Sequence, residues 1–141
     1  MASGLGSYRQ FDAWKLAEAF KQEVYRIVLA SPAACADLRY RGQTLDASGR
    51  PSANFAEGFL RSSPGDFARF LDYGVGSIGE TERRLHDGIR LRYFSAADCA
   101  AAFRLGRRTA PALINLKKAQ LRYAAQMKKS KRNRKGVWLG A

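Results

Sequence analysis

Large apolar side chains recur along this chain at steps of three and four, never in sustained alternation, and that pattern predicts four helices and no sheet. Across residues 8 to 30, Tyr8, Phe11, Trp14, Ala17, Phe20, Val24, Ile27 and Val28 line one face. Ser31 and Pro32 close this helix and open the next, serine as cap and proline in a first-turn position. The second segment, residues 33 to 61, is the least regular. Leu38, Leu45 and Phe55 mark its face, while Gly49, Arg50 and Pro51 predict a kink or short break near Gly49, because proline removes a backbone donor and crowds the preceding turn.

The third segment opens with Ser63, Pro64 and Asp66, the acid facing the positive end of the helix dipole. Phe67, Leu71, Gly74, Ile78, Thr81, Leu85 and Gly88 then follow at alternating steps of four and three, a seam suited to helix-on-helix packing. Each glycine on that seam costs about 1 kcal/mol of intrinsic helicity relative to alanine, which close approach of a neighbouring element would offset. The fourth segment opens at Ser95 with Asp98 three residues on, a capping box with aspartate in the usual glutamate position. The expected fold class is all-α, an up-and-down four-helix bundle over residues 8–127, with a flexible N-terminus (1–7) and a mobile basic C-terminal tail (128–141).

Projecting the fourth helix at about 100° per residue places Arg104, Arg108, Asn115, Lys118, Arg122 and Lys129, with Pro111, in one narrow arc. Leu105, Ala112, Leu116, Tyr123, Leu113, Phe103, Ala110, Ile114 and Leu121 spread over the other side. An apolar arc that wide exceeds what one bundle core needs, so subunit contact is expected.

Charge changes the picture most. The chain carries a formal +13, yet its last acidic residue is Asp98. Beyond it come Arg104, Arg107, Arg108, Lys117, Lys118, Arg122, Lys128, Lys129, Lys131, Arg132, Arg134 and Lys135, with no carboxylate side chain among them. Such a surface repels itself unless a polyanion neutralises it, so these twelve residues are the candidate phosphate contacts for nucleic acid. Tyr123 could stack on a base, but packing is the expected role. An interaction module whose basic face meets an acidic protein groove is the alternative.

Other chemistry finds little footing. Gly74, Gly76 and Gly79 spell the G-x-G-x-x-G dinucleotide fingerprint, which needs a strand before it and a helix start after it; here it falls inside a helical repeat and is assigned to close packing. His86 is the sole histidine and has no partners at metal spacing, and no nucleophile has a base and an orienting group in a recognisable motif. No catalytic residue, metal or cofactor is therefore expected. Cys35 and Cys99 match no metal spacing and read as reduced, buried thiols. With no long apolar run and no signal-peptide core, the chain is expected to be cytoplasmic, without a membrane partner.

The segment Asn54-Phe55-Ala56-Glu57-Gly58-Phe59-Leu60-Arg61, followed by Ser62, Ser63, Phe67, Phe70, Leu71, Gly76, Ser77 and Glu80, resembles a known motif cluster. It is similar to the four-helix bundle family named for proteins encoded in intervening sequences of bacterial 23S ribosomal RNA genes, and Phe11, Ala13, Trp14, Ala17 and Tyr25 fit that family's first helix. The resemblance implies a ring-like homopentamer without catalytic activity. The same fold serves the accessory variability determinants of diversity-generating retroelements, basic pentamers that bind a reverse transcriptase and its template RNA. The basicity of this chain points toward that accessory role. Asn54, Glu57 and Arg61 lie at helical spacing on one face, with Gly58 among them, and are expected to form a polar network against helix one or a neighbouring subunit.

Overall fold

A computed structural model describes residues 7–140, with side chains described through Lys135. The flexible segment predicted for residues 1–7 lies outside the described residues except for Ser7. That hydroxyl accepts from the Arg9 amide at 3.1 Å and caps a 3-10 turn, Tyr8–Gln10. Five α-helices follow: α1 (Asp12–Leu29), α2 (Pro32–Ala36), α3 (Leu38–Leu60), α4 (Pro64–Arg90) and α5 (Ala96–Gly140). No strand occurs among the described residues. The four long helices touch in a closed order, α1 against α3 and α5, α4 against α3 and α5, with Phe20, Val24, Val28, Phe55, Leu71, Ile78, Leu85 and Leu113 sealed between them.

Helix α4 follows its sequence pattern position by position. All seven predicted seam residues are buried, and the Ser63 hydroxyl accepts from the Asp66 amide at 3.2 Å, closing the N-terminus. The seam glycines do permit close approach. A methyl at Gly74 would stand 3.4 Å from the Pro51 Cα on α3, and one at Gly88 would run into the Phe94 ring and the Tyr40 hydroxyl. Gly76 and Gly79, in contrast, face open space, so of the three fingerprint glycines only Gly74 serves packing; all three lie inside α4, where the backbone amides are already in use.

The second segment departs from expectation. Its break falls at Asp37, between α2 and α3, rather than near Gly49, and α3 runs uninterrupted through Pro51. Asp37 earns this position as a cap: its carboxylate accepts from the Tyr40 amide (3.0 Å) and the Tyr93 hydroxyl (2.6 Å), and the tyrosine bond holds its pKa below the usual carboxylate range. Pro51 is tolerated because it is buried on the α4 side, and the hydroxyls of Ser48 and Ser52 donate to the carbonyls of Leu45 and Gly49 around it. The inward face of α3 is Tyr40, Thr44, Ala47, Ser48, Pro51, Ser52, Phe55 and Gly58, so Leu38, 72% exposed, does not belong to it.

The fourth predicted helix is longer than its reading. Rather than ending near residue 127, α5 continues to Gly140. From Leu121 to Lys135 every residue except Ala124 is exposed.

Candidate nucleic-acid interface

Helix α5 begins as its sequence dictates. The Ser95 hydroxyl accepts from the Asp98 amide at 3.1 Å and the Asp98 carboxylate accepts from the Ser95 amide at 2.9 Å, a reciprocal box that holds the aspartate pKa below its ordinary value. The helix then presents a seam of mostly small residues to the core: Cys99, Ala102, Gly106, Thr109 and Leu113 are buried. Burial pushes the Cys99 thiol up to about 11, which leaves it an inert apolar group; Cys35 is only partly buried, and both thiols are free. Small inward residues draw α5 close to its neighbours. A methyl on Gly106 would sit 3.2 Å from the Glu82 carboxylate and 3.3 Å from the Phe20 ring.

Because the seam is narrow, the rest of the helix circumference faces outward. Arg104, Arg107, Arg108, Lys118, Arg122, Lys128, Lys129, Lys131, Arg132, Arg134 and Lys135 are all exposed. Lys117 is the exception: half-buried, it pairs with Asp72 on α4 at 3.0 Å, and it alone of the twelve forms an ion pair among the described residues. Arg107 stands near Glu82, and Arg104 near Glu23, whose carboxyl is held low chiefly by its hydrogen bond from Arg26. The interface is thus a cationic surface along one helix, compensated mainly at Lys117. The predicted apolar arc divides. Leu113 is buried, Phe103, Leu105, Ala110, Ala112, Ile114 and Leu116 are half-buried, and Leu121 and Tyr123 are exposed at 50% and 55%.

The Asn54 to Arg61 motif is placed differently from its expectation. Glu57 and Arg61 pair with each other at 3.1 Å across the C-terminal end of α3, both largely exposed, and Arg61 lies 5.0 Å from the Phe70 ring centroid. Asn54 joins no hydrogen bond with either among the described residues. Gly58 carries the structural part of the motif, since a methyl there would stand 2.7 Å from the Phe70 Cβ and 3.3 Å from the Phe67 backbone. The motif glycine therefore sets how tightly the α3–α4 hairpin closes. His86 is exposed and stacks on Phe103, ring centroids 4.7 Å apart, and no group of three potential metal ligands exists among the described residues.

Residues 9–114, the bundle and the first turns of α5, match the family model of the 23S rRNA-intervening sequence protein. The chain belongs to that family. Its match spans the aromatic first helix, the Asn54 to Arg61 motif and the α4 seam, and stops inside α5. Nine of the twelve predicted contact residues, from Lys117 to Lys135, lie past its end. No match to a curated protein was found. No helix among the described residues is long and apolar enough to cross a membrane.

Proposed function

We propose that the protein is a non-enzymatic nucleic-acid-binding scaffold, an up-and-down four-helix bundle that assembles as a homopentamer and holds RNA through phosphates. The observation that carries this reading is the acid-free face of α5, with eleven exposed cations that form no ion pair among the described residues. Phosphate contacts of this kind give tight, weakly sequence-selective binding with steep salt dependence. The cyclic contact order of the long helices supports the bundle layout, and the half-buried apolar residues of α5 supply surface for subunit contact. Five copies of a +13 chain carry a formal +65.

The specific role we assign is accessory: holding a template RNA beside a reverse transcriptase to support mutagenic complementary-DNA synthesis. It rests on basicity. Family membership favours a second reading, a role tied to ribosomal RNA intervening sequences with no polymerase partner. Co-purification of a reverse transcriptase with the tagged protein separates the two.

The scaffold reading itself is tested by charge reversal. Replacing Arg104, Arg108 and Arg122 with glutamate removes retention of single-stranded RNA on filters at moderate salt, while the far-ultraviolet helical signal stays unchanged. Unaltered retention by that variant would refute the assignment of this face. Wild-type protein that ignores RNA and DNA even in dilute buffer would refute nucleic-acid binding altogether and leave the protein-interaction module.

A further inference from the structure

Where α5 passes the turn between α3 and α4, a cleft of about 250 Å³ opens, lined by Phe11, Phe59 and Phe67 on the bundle side, Gln120 and Tyr123 on α5, and Arg61 to Pro64 along the turn. It is smaller than the roughly 300–1,000 Å³ of drug-sized ligand sites. Its floor is rigid. Phe59 meets Phe11 and Phe67 edge-on, with ring centroids 5.6 and 6.0 Å apart, and Phe55 locks both of those rings from behind at 5.4 and 5.3 Å. Its lip is unlike the rest of the core. Tyr123 is 55% exposed and meets no other aromatic ring among the described residues, so the packing role expected of it is not filled within the chain.

Two of the polar groups around the cleft are also uncommitted. Neither the Gln120 amide nor the Ser62 hydroxyl makes a hydrogen bond among the described residues, whereas Arg61 leans on Phe70 and Glu57 at the rim. An aromatic plane with free amide and hydroxyl groups beside it suits a flat heteroaromatic ring with polar edges. The flanks specify what that ring is attached to. Arg61 stands at the rim, Lys128 and Lys131 lie over the same Ser63–Pro64 turn in the adjoining groove, and Arg134, three turns beyond Tyr123, returns to its face. A ring presented beside these cations suits a polyanion.

We propose that this cleft receives one unpaired nucleobase of a bound single strand, stacked on Tyr123 and edged by Gln120, Ser62 and Arg61, while Lys128 and Lys131 hold the adjoining phosphates. The assignment rests on the scaffold reading and adds a base contact to it. Stacking on an aromatic side chain tolerates any base, so the site captures single strands in preference to duplexes without fixing a sequence. It also makes the α3–α4 turn, which carries Arg61 and Ser62 of the family motif, a ligand-facing element.

The test uses a short single-stranded RNA carrying 2-aminopurine, titrated into the full-length wild-type protein and into Tyr123→Ala and Tyr123→Phe. Binding to wild type quenches the 2-aminopurine emission. Tyr123→Ala weakens binding about tenfold and loses the quenching, with the slope of log K against log salt unchanged because no phosphate contact is removed. Tyr123→Phe keeps affinity and quenching. Equal affinity and equal quenching for Tyr123→Ala would overturn the site while leaving the phosphate scaffold standing, and a wild-type protein that binds no strand at all would overturn both. A mass measurement showing that Tyr123→Ala breaks the assembly would overturn it as well, by reassigning the ring to a subunit contact.

Discussion

Helices α4 and α5 are adjacent, long and both capped at their N-termini, yet they use their side chains in opposite ways. Helix α4 turns Phe67, Leu71, Ile78 and Leu85 inward and balances its outer face with acids and bases, pairing Arg69 with Asp66, Arg84 with Glu80 and Arg90 with Asp87. Helix α5 turns mostly small residues inward, leaves its larger apolar groups half-buried, and after Asp98 carries only positive charge. One helix invests its chemistry in the fold and the other in the surface. In this family member the stability of the bundle and the proposed binding of a polyanion should therefore be separable, since residues can be altered on one helix with little consequence for the property assigned to the other.

The largest effect that would sharpen this division lies where α3 meets α4. Gly58→Ala places a methyl against Phe70 and the Phe67 backbone, an overpacking that costs about 2–3 kcal/mol. Gly76→Ala, on the outer face of the same α4, meets nothing within 4 Å and gains about 1 kcal/mol from helix propensity. Thermal denaturation of the two variants thus moves in opposite directions, and Gly76→Ala keeps the wild-type RNA affinity. Two variants that both lose stability would show that the outer face of α4 is covered in the assembled protein. Two that both gain would mean that the α3–α4 hairpin is looser than its geometry indicates.

The same contrast explains how much was legible beforehand. The seam of helix α4 was readable because Phe67, Leu71, Ile78 and Leu85 are large and apolar and fix its register, and size is what a periodicity scan weighs; the buried Ala68 and Ser77 beside it were not read. The inward faces of α3 and α5 were not, because they are built from Thr44, Ala47, Ser48, Ser52, Cys99, Ala102, Gly106 and Thr109. Three of their four hydroxyls are satisfied locally, Ser48 on the Leu45 carbonyl, Ser52 on the Gly49 carbonyl and Thr109 on the Leu105 carbonyl, which lets polar residues stand in a core without announcing it; the buried Thr44 hydroxyl has no partner among the described residues. Leu38 drew the reading of the second helix toward a face that is solvent-exposed, and Pro51 signalled a break where burial holds the helix straight through. The charge asymmetry of α5 was legible in full, since it needs only counting. What counting missed is that Lys117 is already paired with Asp72, a contact set by the packing of α5 on α4. The cleft beside Tyr123 was not legible in one dimension beyond that ring itself, since its walls come from three separated stretches of chain.

Smaller effects separate the two helices by pH. At the start of α5, Asp98 has its pKa lowered by the bonds it shares with Ser95, so the stability it contributes is present above the unfolded value near 3.9 and is lost as pH falls through the lower folded value. Asp98→Asn should therefore lower the melting temperature by a few degrees at pH 7, and the gap to wild type should shrink on acidification below about pH 4. A gap independent of pH would assign the cap to Ser95 alone.

Glu82 on α4 works with the other sign, and the effect is the smallest. Its carboxyl lies over Gly106 of α5, and burial raises its pKa against the opposing pull of Arg107 and His86. A folded value above the unfolded one near 4.3 means that the stability linked to this group is complete at low pH and is lost as pH rises through the folded value. At pH 7 the charged carboxylate is a net burden on the α4–α5 contact, worth less than about 1 kcal/mol because much of the group still reaches solvent. Glu82→Gln keeps the shape and removes the charge, so its melting temperature should exceed wild type by about 1–2 °C at pH 7, with the two curves converging near pH 4. A lower melting temperature at pH 7 would show that attraction to Arg107 outweighs burial. In that case Arg107 would be a structural cation like Lys117 and would drop out of the proposed phosphate-binding face.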